Sequence, residues 1–118
     1  MTKKIIILED DVAFAETLAE GLRQEGIQSI HITEPRELSS VLKNNKIDLI
    51  LSDIMLEDSM GFDIIKLLNF TKVNTPVIFM TGFDNTPELS KALSHRQVID
   101  VLVKPFKISI LVNLINNL

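Results

Sequence analysis

At 118 residues, 46% hydrophobic and 24% charged, the chain has the length of one domain and is too apolar for a disordered one. A net charge of −4 argues against a nucleic-acid-binding surface, and zero cysteines exclude a disulfide frame or a thiolate metal site. Four apolar residues before Glu9 are too few for a signal peptide. No run reaches the ~20 apolar residues of a membrane span, so a cytoplasmic location without a membrane partner is expected.

Residues 5–8 read as a first strand, with Lys3 and Lys4 at its exposed start, running straight into Glu9, Asp10 and Asp11. Val12, Ala15, Ala19 and Leu22 then recur at helical spacing, and Phe14 and Leu18 widen that stripe. Asp11 suits the start of this helix and Gly26 its stop. Residues 28–32 form a short second strand. Pro35 falls in the first turn of a second helix, whose buried face is Leu38, Val41 and Leu42. The apolar run 47–51 has the composition of a strand covered on both faces, and Asp53 stands just past it.

Residues 57–61 read as a loop and 62–70 as a third helix burying Ile64, Ile65, Leu67 and Leu68. A fourth strand, 77–80, ends at Thr81-Gly82, and a weakly patterned helix follows at 87–94. A fifth strand, 98–103, is closed by Lys104-Pro105, and an amphipathic helix covers 108–117. Strand and helix alternate five times, which predicts an α/β fold: a doubly wound (βα)5 parallel sheet with helices on both faces. His31 and His95 have no partners at ligand spacing and read as structural or solvated, as does the 43–46 turn. Phe79 and Phe106 read as core.

In such a sheet the ends of strands one, three, four and five emerge at one edge, where open α/β sheets bind ligands. That edge gathers Glu9, Asp10, Asp11, Asp53, Thr81 and Lys104. The acids suit a hard cation such as Mg²⁺, which relieves their repulsion, while a lysine ammonium and a threonine hydroxyl suit phosphoryl oxygens. The expected chemistry is phosphoryl transfer onto the Asp53 carboxylate.

The motifs Ile-Leu-Glu9-Asp10-Asp11, Leu-Ser-Asp53-Ile-Met with Gly61 eight residues on, Ile-Phe-Met-Thr81-Gly82 and Lys104-Pro105-Phe106 resemble the receiver domain of bacterial two-component response regulators. The resemblance covers essentially the whole chain, 1–118, as one receiver domain of flavodoxin-like fold, and it implies the strand order 2-1-3-4-5. It implies that Asp53 is the phosphoacceptor and that Thr81 and Lys104 contact the phosphoryl oxygens. It further implies Mg²⁺ held by Asp10 directly, Glu9 through water, Asp53 and the carbonyl of Met55; Asp11 is the helix cap, although sequence leaves an exchange of roles with Asp10 open. The phosphodonor would be a sensor histidine kinase or phosphotransfer protein, or a small phosphodonor. An output domain or target would dock on the fourth helix, fifth strand and last helix. The oligomeric state is left open, a homodimer included.

This sequence departs from the family pattern at Glu57, in place of proline, at Val101, in place of a switching aromatic, and at Gln97-Val98, in place of Gly-Ala. The expectation is that any relay of activation uses groups other than Val101. Met55 and Phe83 are apolar where the family lines the route of attacking water, so slow self-dephosphorylation is expected. A dehalogenase-like phosphatase would need an acid at position 55, which is Met, and a dinucleotide-binding domain would need Gly-x-Gly-x-x-Gly where three acids stand. The chain is therefore read as a signalling phosphoacceptor rather than an enzyme. The remaining alternative is a receiver-like protein-interaction module that is not switched by phosphorylation.

Overall fold

In the computed structural model, residues 2–56, 59–60, 73–82 and 94–118 are described. Strand β1 (Lys4–Leu8) leads into helix α1 (Val12–Gln24), strand β2 (Gln28–Ile32), a 3-10 turn (Pro35–Glu37), helix α2 (Leu38–Asn44) and strand β3 (Leu49–Asp53). Two short strands, β4 (Met55–Leu56) and β5 (Ser59–Met60), precede β6 (Val77–Thr81), β7 (Val98–Val103) and the last helix, α3 (Ile108–Asn116). The main sheet has the order β2-β1-β3-β6-β7, and all its pairings are parallel. Counting only those strands, this is the expected 2-1-3-4-5 order. The helices expected at 62–70 and 87–94 lie, apart from Ser94, outside the described residues, as do Glu57, Gly61 and Phe83.

The alternation of side chains along the strands builds two cores. Ile5, Ile7, Leu49, Leu51, Ile78 and Met80 face Ala15, Leu18 and Leu22 of α1 and Leu111, Val112 and Ile115 of α3. The intervening Ile6, Leu8, Ile50, Val77 and Phe79 face Leu38 of α2, with Val41 and Leu42 packed alongside. Helices therefore cover both faces. That double burial is why the three central strands read as unbroken apolar runs. Strand β7 lies at the edge, and Ile99 and Val103 remain about half exposed there. Val101 pairs with Phe79 and packs against the α2-side core. Phe79 is fully buried, and Phe106 is half-buried against the α1-side core.

Met55–Leu56 and Ser59–Met60 pair antiparallel, where the sequence pattern gives a loop over 57–61. Strands of two residues fall below the four or so residues over which alternation becomes visible. Among the described residues, no helix is long and apolar enough to cross a membrane.

Helix α1 is delimited as its sequence dictates. The Asp11 carboxylate accepts the Phe14 N–H at 3.1 Å. At the other end Gly26 takes φ 78°, its N–H donates to the Arg23 carbonyl, and the Ile27 N–H donates to the Leu22 carbonyl. This is a Schellman ending, and its left-handed residue favours glycine. No atom lies within 4 Å of where a Cβ would stand, so Gly26→Ala carries a backbone cost alone. A loss of about 1 kcal/mol in denaturant unfolding is expected; an unchanged midpoint would contradict it.

Candidate functional site

Register decides which residues meet at the C-terminal edge. Leu8 is level with Ser52, so Glu9, one step on, comes beside Asp53. Asp53 is level with Met80, and Thr81 with Val103, so Lys104 emerges next to Thr81. The Lys104 N–H donates to the Thr81 carbonyl at 2.7 Å, which fixes these two strand ends together. Glu9, Asp10 and Asp53 each place a carboxylate oxygen within 4.8 Å of the others.

The Lys104 ammonium donates to Asp53 Oδ2 at 2.7 Å and to Glu9 Oε2 at 3.1 Å. Glu9 is buried, and its second oxygen accepts the Asp11 N–H at 3.1 Å. Asp53 is half-buried and Asp10 exposed, so the cluster opens from the sheet towards solvent. Thr81 is buried at the end of β6. Met55 begins β4, two residues beyond Asp53.

Burial pushes the Glu9 carboxyl above its ordinary value of 4.5; the charge of Asp53 adds to the rise, which hydrogen bonds from Lys104 and the Asp11 N–H only partly offset. Burial alone would depress Lys104. Its hydrogen bonds to Asp53 and Glu9, with their charges, outweigh that and hold the ammonium above its ordinary value of 10.5. Three carboxylates against one ammonium leave a formal excess of two negative charges. Hard oxygen donors with such an excess fit a divalent cation of the Mg²⁺ kind.

A folded pKa above the unfolded one contributes stability that is fully present below about pH 4.5 and lost as pH rises through the folded value. Glutamine mimics the protonated form at every pH. In chelator-treated protein, the melting temperature of the wild type is therefore expected to fall relative to Glu9→Gln as pH is raised from 4.5 towards 7. A wild type that gains on the variant over that interval would contradict it.

Three contacts are not legible in the sequence. The Phe14 ring, read only as core, lies under the Lys104 ammonium with its centroid 4.5 Å from Nζ. Phe106 meets that ring edge-on, with centroids 6.3 Å apart and planes at 89°. His31 Nε2 lies 2.7 Å from the Glu9 carbonyl oxygen, so this histidine braces the backbone of the site, in keeping with its structural reading. The available signals were positional: Phe14 falls in the first turn of α1, and His31 is level with Ile7, near the end of the neighbouring strand.

The family profile described as "Response regulator receiver domain" matches residues 5–116. The probable transcriptional regulatory protein SilR of Salmonella typhimurium is 34% identical over 103 residues, covering 87% of this chain and 45% of SilR. The transcriptional regulatory protein PcoR of Escherichia coli is 33% identical over 110 residues, 93% of this chain and 48% of PcoR. The chain thus spans about half the length of the curated relatives it matches. Among solved structures, the receiver domain of the Francisella response regulator 1452 aligns with a TM-score of 0.85 at 27% identity, covering 98% of this chain and 94% of that one. A two-component response regulator from Clostridium difficile aligns with a TM-score of 0.85 at 28% identity, covering 98% and 93%. With the strand order, the acidic cluster and the lysine that spans it in place, the chain belongs to the response regulator receiver domain family of two-component signalling.

Proposed function

We propose that residues 1–118 act as a phosphoacceptor domain that takes a phosphoryl group on Asp53 from the phosphohistidine of a sensor histidine kinase or phosphotransfer protein. The observation that carries this reading is the Lys104 ammonium, bonded at once to Asp53 and Glu9 beside an acidic cluster. An Asp53 carboxylate oxygen forms the new bond to phosphorus. The bond from phosphorus to the donor imidazole nitrogen breaks, and the imidazole leaves with that electron pair. Lys104 neutralises charge as it spreads over the phosphoryl oxygens, and the Thr81 hydroxyl donates to one of them. Glu9, Asp10 and Asp53, with the Met55 carbonyl, would hold Mg²⁺. That ion would supply the remaining positive charge against the transferring group.

In this reading Asp11 caps α1 and takes no part in metal binding, as its bond to the Phe14 N–H fits. In this reading the domain acts in the cytoplasm, beside its kinase. SilR and PcoR are named as transcriptional regulators, so the proposed role is to switch an output domain or target through the face that includes β7 and α3. Val101, packed against the core, offers no large ring to swing, and the relay is assigned to other groups.

Incubation with acetyl phosphate tests the reading by intact mass. A gain of one phosphoryl group is expected with Mg²⁺ and none with a chelator. No gain under either condition would remove the proposal and leave the interaction-module reading.

A further inference from the structure

We propose that Phe14 is a positioning residue for Lys104, holding the ammonium over the phosphoacceptor by a cation–π contact that survives when its carboxylate partners turn to other ligands. The inference rests on the function proposed above and adds a residue to its site. An ammonium has three N–H donors. Two are taken by Asp53 and Glu9, and the Phe14 ring face stands 4.5 Å from Nζ, inside the roughly 6 Å reach of the interaction.

The placement closes a circuit of contacts. The Phe14 N–H donates to Asp11, the Asp11 N–H donates to Glu9 Oε1, Glu9 Oε2 accepts from Lys104, and Lys104 lies over Phe14. Phe106, two residues beyond Lys104, meets the ring edge-on and sets its plane. Helix α1 and the segment after β7 are thereby fastened at the point where the ammonium must sit.

The ring differs from the two carboxylates in one respect. It attracts the cation without competing for a hydrogen bond that a phosphoryl oxygen needs. Asp53 and Glu9 both change partners if a cation binds or the phosphoryl group arrives, whereas Phe14 keeps its face towards Lys104 throughout. Lys104 has four rotatable side-chain bonds, and a lysine freed of its partners would otherwise lose its aim.

The test uses Phe14→Leu, which keeps apolar packing, Phe14→pentafluorophenylalanine, which keeps the ring shape and reverses its charge distribution, and Phe14→Tyr, which keeps the attractive face. The first readout is the NMR order parameter of the Lys104 ε-methylene in metal-free protein. It should fall in the Leu and pentafluoro variants and recover in the Tyr variant. The second is the phosphorylation rate at saturating acetyl phosphate and Mg²⁺, expected to fall about three- to tenfold in the first two and to recover in the third, with half-saturating phosphodonor unchanged. Should the Leu variant fail to fold, the pentafluoro variant decides. If the wild type accepts no phosphoryl group, the function proposed above fails and the order parameter alone decides this contact. Equal Lys104 order in the wild type and the pentafluoro variant would overturn the proposal.

Discussion

The Asp53→Asn variant is expected to gain no phosphoryl group from acetyl phosphate at any Mg²⁺ concentration while remaining folded. An amide oxygen is a poor nucleophile, so the new bond to phosphorus has no carboxylate to form on. The fold should not suffer. Asp53 is one of two carboxylates around a single ammonium, and its charge helps push Glu9 upward. Asparagine still offers Lys104 an oxygen and relieves that repulsion, so the melting temperature of chelator-treated protein should hold or rise. Mg²⁺ affinity, read by titration calorimetry, should fall because one of three clustered carboxylates is lost. Phosphoryl uptake at the wild-type rate would show that another residue accepts the group.

Lys104→Met should produce the other large change, with two opposite signs in one variant. Without the ammonium, Glu9 and Asp53 face each other unneutralised, and one of them is buried. Removing one partner from a fully buried pair costs roughly 3–5 kcal/mol. Lys104 keeps 23% of its side chain exposed, so a loss of about 2 kcal/mol is the better expectation. Mg²⁺ affinity should rise, because a competing positive charge has gone, and saturating Mg²⁺ should restore part of the lost stability. Phosphorylation should slow by about 10²- to 10³-fold, the scale of removing one donor to developing charge. Unchanged stability in chelator would contradict the view of Lys104 as the ion that holds the strand tips together.

Much of the fold follows from local pattern. Strands β1, β3 and β6 are apolar on both faces because helices cover both, and that same covering makes them conspicuous in the sequence. The direction they share with β7 then brings Glu9, Asp53, Thr81 and Lys104 to one edge without knowledge of any side-chain contact. The ends of α1 were equally plain, because Asp11 and Gly26 do what their types do at helix ends.

What escaped the sequence depends on rotamers and on short pairing. An apolar first-turn residue is ordinarily buried packing. Only the relative placement of α1 and the tip of β7 turns the ring of Phe14 towards Lys104. The Glu9 carboxylate also meets the Lys104 ammonium, a pairing across 95 positions that spacing does not reveal. The β4–β5 pairing is too short for any periodic signal.

Chemical trapping at position 53 addresses the core of this reading most directly. Borohydride reduces an acyl phosphate to the alcohol, so protein treated with acetyl phosphate and Mg²⁺ and then reduced should carry homoserine in place of Asp53 in its peptide mass spectrum. Homoserine at Asp10 or Asp11, or a phosphoryl group that resists reduction on a serine or threonine, would contradict it.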